Sequence, residues 1–137
     1  MRRLILCAFA FLFAFGLSAE DLAPDVQAKF VKTLVSSTGQ FGFCCNNDPA
    51  LKKSLEAAGV SVSPGFKLAW AATEAEVKTL KADGRLVVVP KVAWLKLGAS
   101  IAIVEEEGKP TFVIHVANVK ATGMTLPDAI VKIAKKI

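Results

Sequence analysis

Cys44, Cys45, His115 and the acidic run Glu105, Glu106, Glu107 are the side chains of this 137-residue chain best suited to chemistry. A strand sends successive side chains to opposite faces. A bridge between adjacent cysteines closes a strained eight-membered ring. Three readings of Cys44 and Cys45 therefore stay open: burial as small hydrophobes, an intermolecular disulfide, and a redox switch. His115 is the single histidine. A metal site would need further ligands, and His115 with two distant cysteines has no ligand spacing, so it reads as a strand histidine with a satisfied partner. Glu105, Glu106 and Glu107 read as a solvated hairpin tip, or as an acidic knob offered to a partner. Asp48, Glu74 and Asp128 stand at helix starts, where capping accounts for them. Neither a phosphate-binding glycine loop nor a GxSxG or HExxH motif occurs. The residues thus point away from an enzyme, and no catalytic, cofactor or metal residue is assigned. Trp70, Trp94, Phe41, Phe43 and Phe66 read as core aromatics, with a pocket lining as the alternative. An exposed Trp94 would instead mark an interface.

The N-terminus bears on where such chemistry would operate. Met1-Arg2-Arg3 is basic, residues 4–17 are uninterrupted apolar, and Gly16, Ser18 and Ala19 are small. A membrane span needs roughly 20 apolar residues, so residues 1–19 read as a signal peptide and residues 20–137 as one exported domain. Export to the periplasm permits disulfides. Cys7 sits without a small-residue lipobox before it. Removing Arg2 and Arg3 lowers the formal net charge from +5 to +3. Lys132, Lys135 and Lys136 fall where a helix end would favour cations. No basic run interleaved with aromatics occurs, which argues against nucleic acid.

The elements that must position these residues follow from pattern. Residues 22–37 carry Val26, Phe30 and Leu34 at helical spacing. Residues 40–45 read as a strand. Asp48-Pro49 then starts a helix that stops near Gly59. Residues 66–71 form the next strand, and Thr73 with Glu76 makes a capping box for a third helix. Residues 86–89 are wholly apolar, as in a strand covered on both faces. Residues 91–97 fit either a helical turn or an irregular link. Residues 100–104 and 110–116 read as a hairpin whose loop exceeds two residues, and 118–122 as one helical turn. A last helix starts near Thr125 and carries Leu126, Ile130, Ile133, Ala134 and Ile137 as its apolar stripe. Alternating strands and helices predict one three-layer α/β domain. Its sheet is mixed and mostly parallel, with a C-terminal antiparallel hairpin and a closing helix.

The closing stretch also carries a family pattern: Gly98-Ala99, Ile101, Val104, Phe112-x-Ile114, Gly123 nine residues later, then Leu126, Ile130, Val131, Ile133 and Ala134. This order resembles the YfiR-like (YfiR/HmsC) periplasmic proteins. The match covers about a quarter of the chain well and the rest loosely. It departs at residues 36–39, where the family continues to Trp-Pro, and at Asn46, where it has Gly. The resemblance implies a non-enzymatic regulator that binds a membrane-embedded sensor, the periplasmic domain of a diguanylate cyclase, and restrains biofilm formation through cyclic-di-GMP. It also implies a homodimer. A periplasmic small-ligand-binding module, or an accessory to an outer-membrane transport system, is the alternative. Partner-facing candidates are Trp94, Glu105, Glu106 and Glu107.

Overall fold

The computed structural model describes residues 22–137, and the expected signal peptide at 1–19 lies outside the described residues. Pro24 opens α1 (Pro24–Thr38), which buries Ala28, Val31, Leu34 and Val35 and ends on left-handed Gly39. Strand β1 (Gly42–Phe43) leads to α2 (Pro49–Ala57), capped by the Asp48 carboxylate. After β2 (Ser61–Val62) and β3 (Leu68–Trp70), Thr73 caps α3 (Glu74–Ala82). Strand β4 (Leu86–Val89) is buried at every residue. A 3₁₀ helix (Val92–Leu97) resolves the stretch that pattern leaves undecided. Strands β5 (Ile101–Glu106) and β6 (Lys109–Ile114) form the hairpin. Two short helices, α4 (Val116–Ala121) and α5 (Asp128–Ile133), precede β7 (Lys135–Lys136).

Strands β3, β4 and β5 run parallel, β6 is antiparallel to β5, and β7 is parallel to β6. The parallel β1–β2 pair joins this sheet through Cys44. Its N–H donates to the Leu68 carbonyl at 2.8 Å and its carbonyl accepts from the Trp70 N–H at 2.8 Å. The sheet therefore reads β2-β1-β3-β4-β5-β6-β7 across.

Strand alternation creates the three layers. Leu86, Val88, Ile101, Ile103, Phe112 and Ile114 face one core, shared with α1, α2 and α5. Phe30 of α1 meets Phe112 there, ring centroids 4.8 Å apart. Val87, Val89, Ala102, Val104 and Val113 face the other, under α3 and the 3₁₀ helix. Ala69, Ala71, Ala99 and Ala102 make this second layer the smaller-residue one. The architecture is thus the α/β domain that the pattern predicts, with hairpin and closing helix in place.

Two local expectations are corrected. The hairpin loop has two residues, because Glu106 pairs with Lys109. Glu107 and Gly108 take φ of 52° and 78°, the left-handed pair whose twist matches the flanking strands. Glu105 and Glu106 are consequently strand residues, half-buried, and Glu107 alone of the three is at the tip. The last helix is also shorter than its apolar stripe. It stops at Ile133, and the chain straightens into β7, where Ile137 N–H donates to the Ile114 carbonyl at 2.9 Å and the Ile137 carbonyl accepts from Val116 N–H. Satisfying the open edge of β6 outweighs a further helical turn. Ile133 and Ile137 are left 65% and 55% exposed.

Candidate functional site

In open α/β sheets, ligands favour the crevice at the carboxyl ends of strands where the order reverses. Here the chain passes from β1 outward to β2 and then back across to β3. The crevice lies between the loops that follow β1 and β3; the first carries Cys44, Cys45, Asn46, Asn47 and Asp48, and Trp70 ends β3 while Glu76 stands in the first turn of α3.

Local chemistry determines how these side chains are used. Asp48 accepts from Leu51 N–H through Oδ1 and from the Trp70 indole N–H through Oδ2, both at 3.1 Å. One carboxylate thus caps α2 and satisfies a buried tryptophan. Glu76 accepts from Ala72 N–H at 2.9 Å and from the Asn47 side-chain amide at 2.6 Å. The capping box forms on the Thr73 side, where Oγ1 accepts from Glu76 N–H, but Glu76 reaches back one residue further than the motif predicts. These contacts tie the two loops together and leave neither carboxylate oxygen pair without a donor.

Cys44 and Cys45 enter opposite cores, as alternation requires, and both are buried free thiols. They do not bridge each other. Burial pushes the Cys45 thiol up to about 12, assisted by the charges of Asp48, Cys44 and Glu76. Burial raises Cys44 as well, against the Arg85 guanidinium, which lowers it. A raised pKa and burial both suppress the thiolate that redox exchange requires. We expect neither native cysteine to react with a disulfide reagent at pH 8 within minutes, and both to react in denaturant. Rapid native labelling of either would overturn this. The linkage has a definite sign. An unfolded Cys45 ionises near 9 while the folded one stays protonated to about 12, so its contribution to stability is complete below pH 9 and declines as pH rises to 12. The alkaline fall in the urea midpoint should be shallower in Cys45→Ala than in the parent.

His115 is not a strand residue. It is the N-cap of α4, its Nδ1 accepting from Asn118 N–H at 3.2 Å. Asn118 in turn donates to the Leu95 and Ala99 carbonyls, joining α4 to the end of the 3₁₀ helix. Among the described residues, no group of three His, Cys, Asp or Glu side chains could hold a metal ion. No described helix is long and apolar enough to cross a membrane.

At the far edge of the sheet, beside β6 and β7, lies an open cleft of about 310 Å³. Ile114, Val119, Leu126 and Val131 are among its apolar lining, with Lys120 and Lys136 in its polar part. Val116 also lines it and is 37% exposed. None of the predicted partner-facing residues reaches this cleft. Trp94 is half-buried against the second core, and Glu106 pairs with Lys135 at 3.6 Å. Phe41, expected in the core or a pocket, is 88% exposed. The sequence reading misses the cleft because its walls come from four separate elements. The one local signal is a surplus of apolar residues, Val116, Val119 and Met124, around a helix too short to bury them.

No protein-family model matches the sequence, and no curated protein sequence matches it. Solved structures do share the fold. A conserved domain protein from Vibrio cholerae O1 biovar El Tor superposes with a TM-score of 0.61 at 13% identity, over 85% of this chain and 60% of that one. The ABC domain in complex with L-Trp from Streptococcus pneumoniae gives a TM-score of 0.56 at 14% identity, over 83% and 61%. The chain thus spans about three fifths of the length of these neighbours. At such identities the likeness speaks to fold alone, and the class defined here is an α/β domain with a mostly parallel sheet.

Proposed function

We propose that this chain is a YfiR-like, non-enzymatic regulatory protein of the periplasm. It would hold a membrane-embedded sensor, such as the periplasmic domain of a diguanylate cyclase, in one conformation, and would work as a homodimer. The observation that carries the reading is the contrast between the two sides of the sheet, the β1–β3 crevice and the β6–β7 edge. At the crevice Asp48 and Glu76 are engaged in hydrogen bonds. At the β6–β7 edge Val116, Ile133 and Ile137 expose apolar surface beside an apolar cleft. Apolar surface next to a concave site is what a binding partner uses. A regulator of this kind acts by differential affinity for two states of its partner, without bond chemistry.

The cleft favours a second reading, a module that binds a small ligand. One fold neighbour is solved in complex with L-Trp, which supports ligand binding as a use of this architecture.

Deletion of the gene in a strain with a periplasm-sensing cyclase should raise cellular cyclic-di-GMP and surface attachment. Unchanged levels would sink the cyclase version. Affinity capture from solubilised inner membrane separates the two readings: a sensor protein supports the first, and a small molecule retained through purification supports the second.

A further inference from the structure

We propose that the cleft between β6, α4 and α5 is a binding site for a small apolar monocarboxylate, with its tail on the cleft floor and its carboxylate at Lys120. The inference deepens the ligand-binding reading of the same cleft and rests on it.

Size sets the first limit. About 310 Å³ stands at the lower end of the range for small-molecule sites. It equals the space of roughly ten waters, so the ligand has about ten to twelve non-hydrogen atoms. A whole helix or strand of a partner would overfill it.

The floor sets the second. Ile114, Val119 and Leu126 are buried core residues that turn one side to the cleft, and Met124 and Val131 pack on the same core. A sugar or other polyol would lose water at several hydroxyls here without gaining partners. A single aliphatic or aromatic body matches the surface, and Met124 can adjust its rotamers to the body's shape.

The rim sets the third. The polar side chains of the lining are Lys120, Lys136 and Thr125. Two of these carry positive charge, and no acid is among the lining residues. Lys136 Nζ already donates to the Val131 carbonyl at 3.2 Å, and neighbouring Lys135 is paired with Glu106. The Lys120 ammonium makes no hydrogen bond or ion pair among the described residues. Its position in the last turn of α4 suits a cation, but that helix has six residues and gives no reason for an apolar cleft beneath the lysine. An anionic head on an apolar body answers both features. A cation of the same shape would be repelled by two ammonium groups.

The test is an NMR titration of the protein as purified from its host, with decanoate as probe below its micelle concentration. Decan-1-ol and decyltrimethylammonium serve as matched neutral and cationic probes. Saturable shifts from decanoate at the amides of residues 114–126 and 131, with a submillimolar Kd, are expected. Lys120→Met keeps the alkyl stem on an exposed helix face and removes the charge. It should weaken decanoate at least fivefold and leave decan-1-ol within twofold. Absence of saturable shifts would overturn the site. So would equal affinity for all three probes, or a decanoate affinity unchanged by Lys120→Met. Decanoate binding without any attachment phenotype would count against the cyclase reading alone. An attachment phenotype without decanoate binding would count against this site alone.

Discussion

Gly42→Ala is expected to lower stability by about 3 kcal/mol or more, at the upper end of overpacking changes, and to leave little folded protein at 37 °C. A Cβ at this position would collide with the Phe66 ring and with the Ser61 carbonyl oxygen. The cause is topological. Residues 63–67 carry the chain from β2 back to β3, and β1 lies between those two strands, so the link must pass over β1. Phe66 crosses at Gly42. The link cannot lift away easily, because Arg85 donates to the Pro64 carbonyl at 2.6 Å and the Phe66 carbonyl at 3.2 Å. The second collision partner is backbone of the paired strand β2, which cannot rotate aside. Phe66→Leu in the same chain should restore part of the loss, since it removes the ring atoms in the collision and leaves the carbonyl contact. Urea denaturation of the parent, both single variants and the double variant measures this. A Gly42→Ala midpoint equal to the parent's would show that the crossover is loose.

Asp48→Ala should cost about 2–4 kcal/mol, more than an ordinary cap. Loss of an N-cap alone is worth roughly 1 kcal/mol. Here the second carboxylate oxygen accepts from the indole of Trp70, which is 2% exposed. Removing it strands a buried donor, worth a further ~1–3 kcal/mol. Asp48→Asn is the informative control. Its one carbonyl oxygen can cap α2 or accept from Trp70, and its amide turns a donor toward whichever group remains. It should therefore recover only part of the loss. In a double-mutant cycle with Trp70→Phe, the Asp48→Ala penalty should fall to that of the cap. Additive effects would mean that the Asp48–Trp70 bond contributes nothing. Trp70 fluorescence gives an independent readout, since its polar contact changes in each Asp48 variant.

Both predictions show which parts of the molecule are legible in local sequence. Asp48-Pro49 and Thr73 with Glu76 announce their helices because the capping atoms lie three residues from their partners. Leu86–Val89 announces a strand covered on both faces because every residue is apolar. Alternation through Cys44 and Cys45 puts the thiols on opposite sides of the sheet, as their two cores show. The three-layer α/β architecture follows from the order of such elements.

Other features depend on partners far along the chain. The apolar stripe 126–137 fits a longer helix, yet Ile133 and Ile137 are exposed because the open edge of β6 takes the last residues as β7. His115 fits a strand by alternation, and Asn118 draws it into a cap. The acidic run fits a loop, until the register of Glu106 with Lys109 extends the strands and narrows the turn to Glu107-Gly108. The cleft is the extreme case, since β6, α4, α5 and β7 each contribute part of a wall. The sequence alone determined the periodic elements, their caps and the layer order, because those rest on contacts within a few residues. Tertiary structure decided where the sheet edge ended the last helix, why Gly42 has no room for a side chain, and where apolar surface remained open, because backbone pairing and packing across the sheet outweigh local preference.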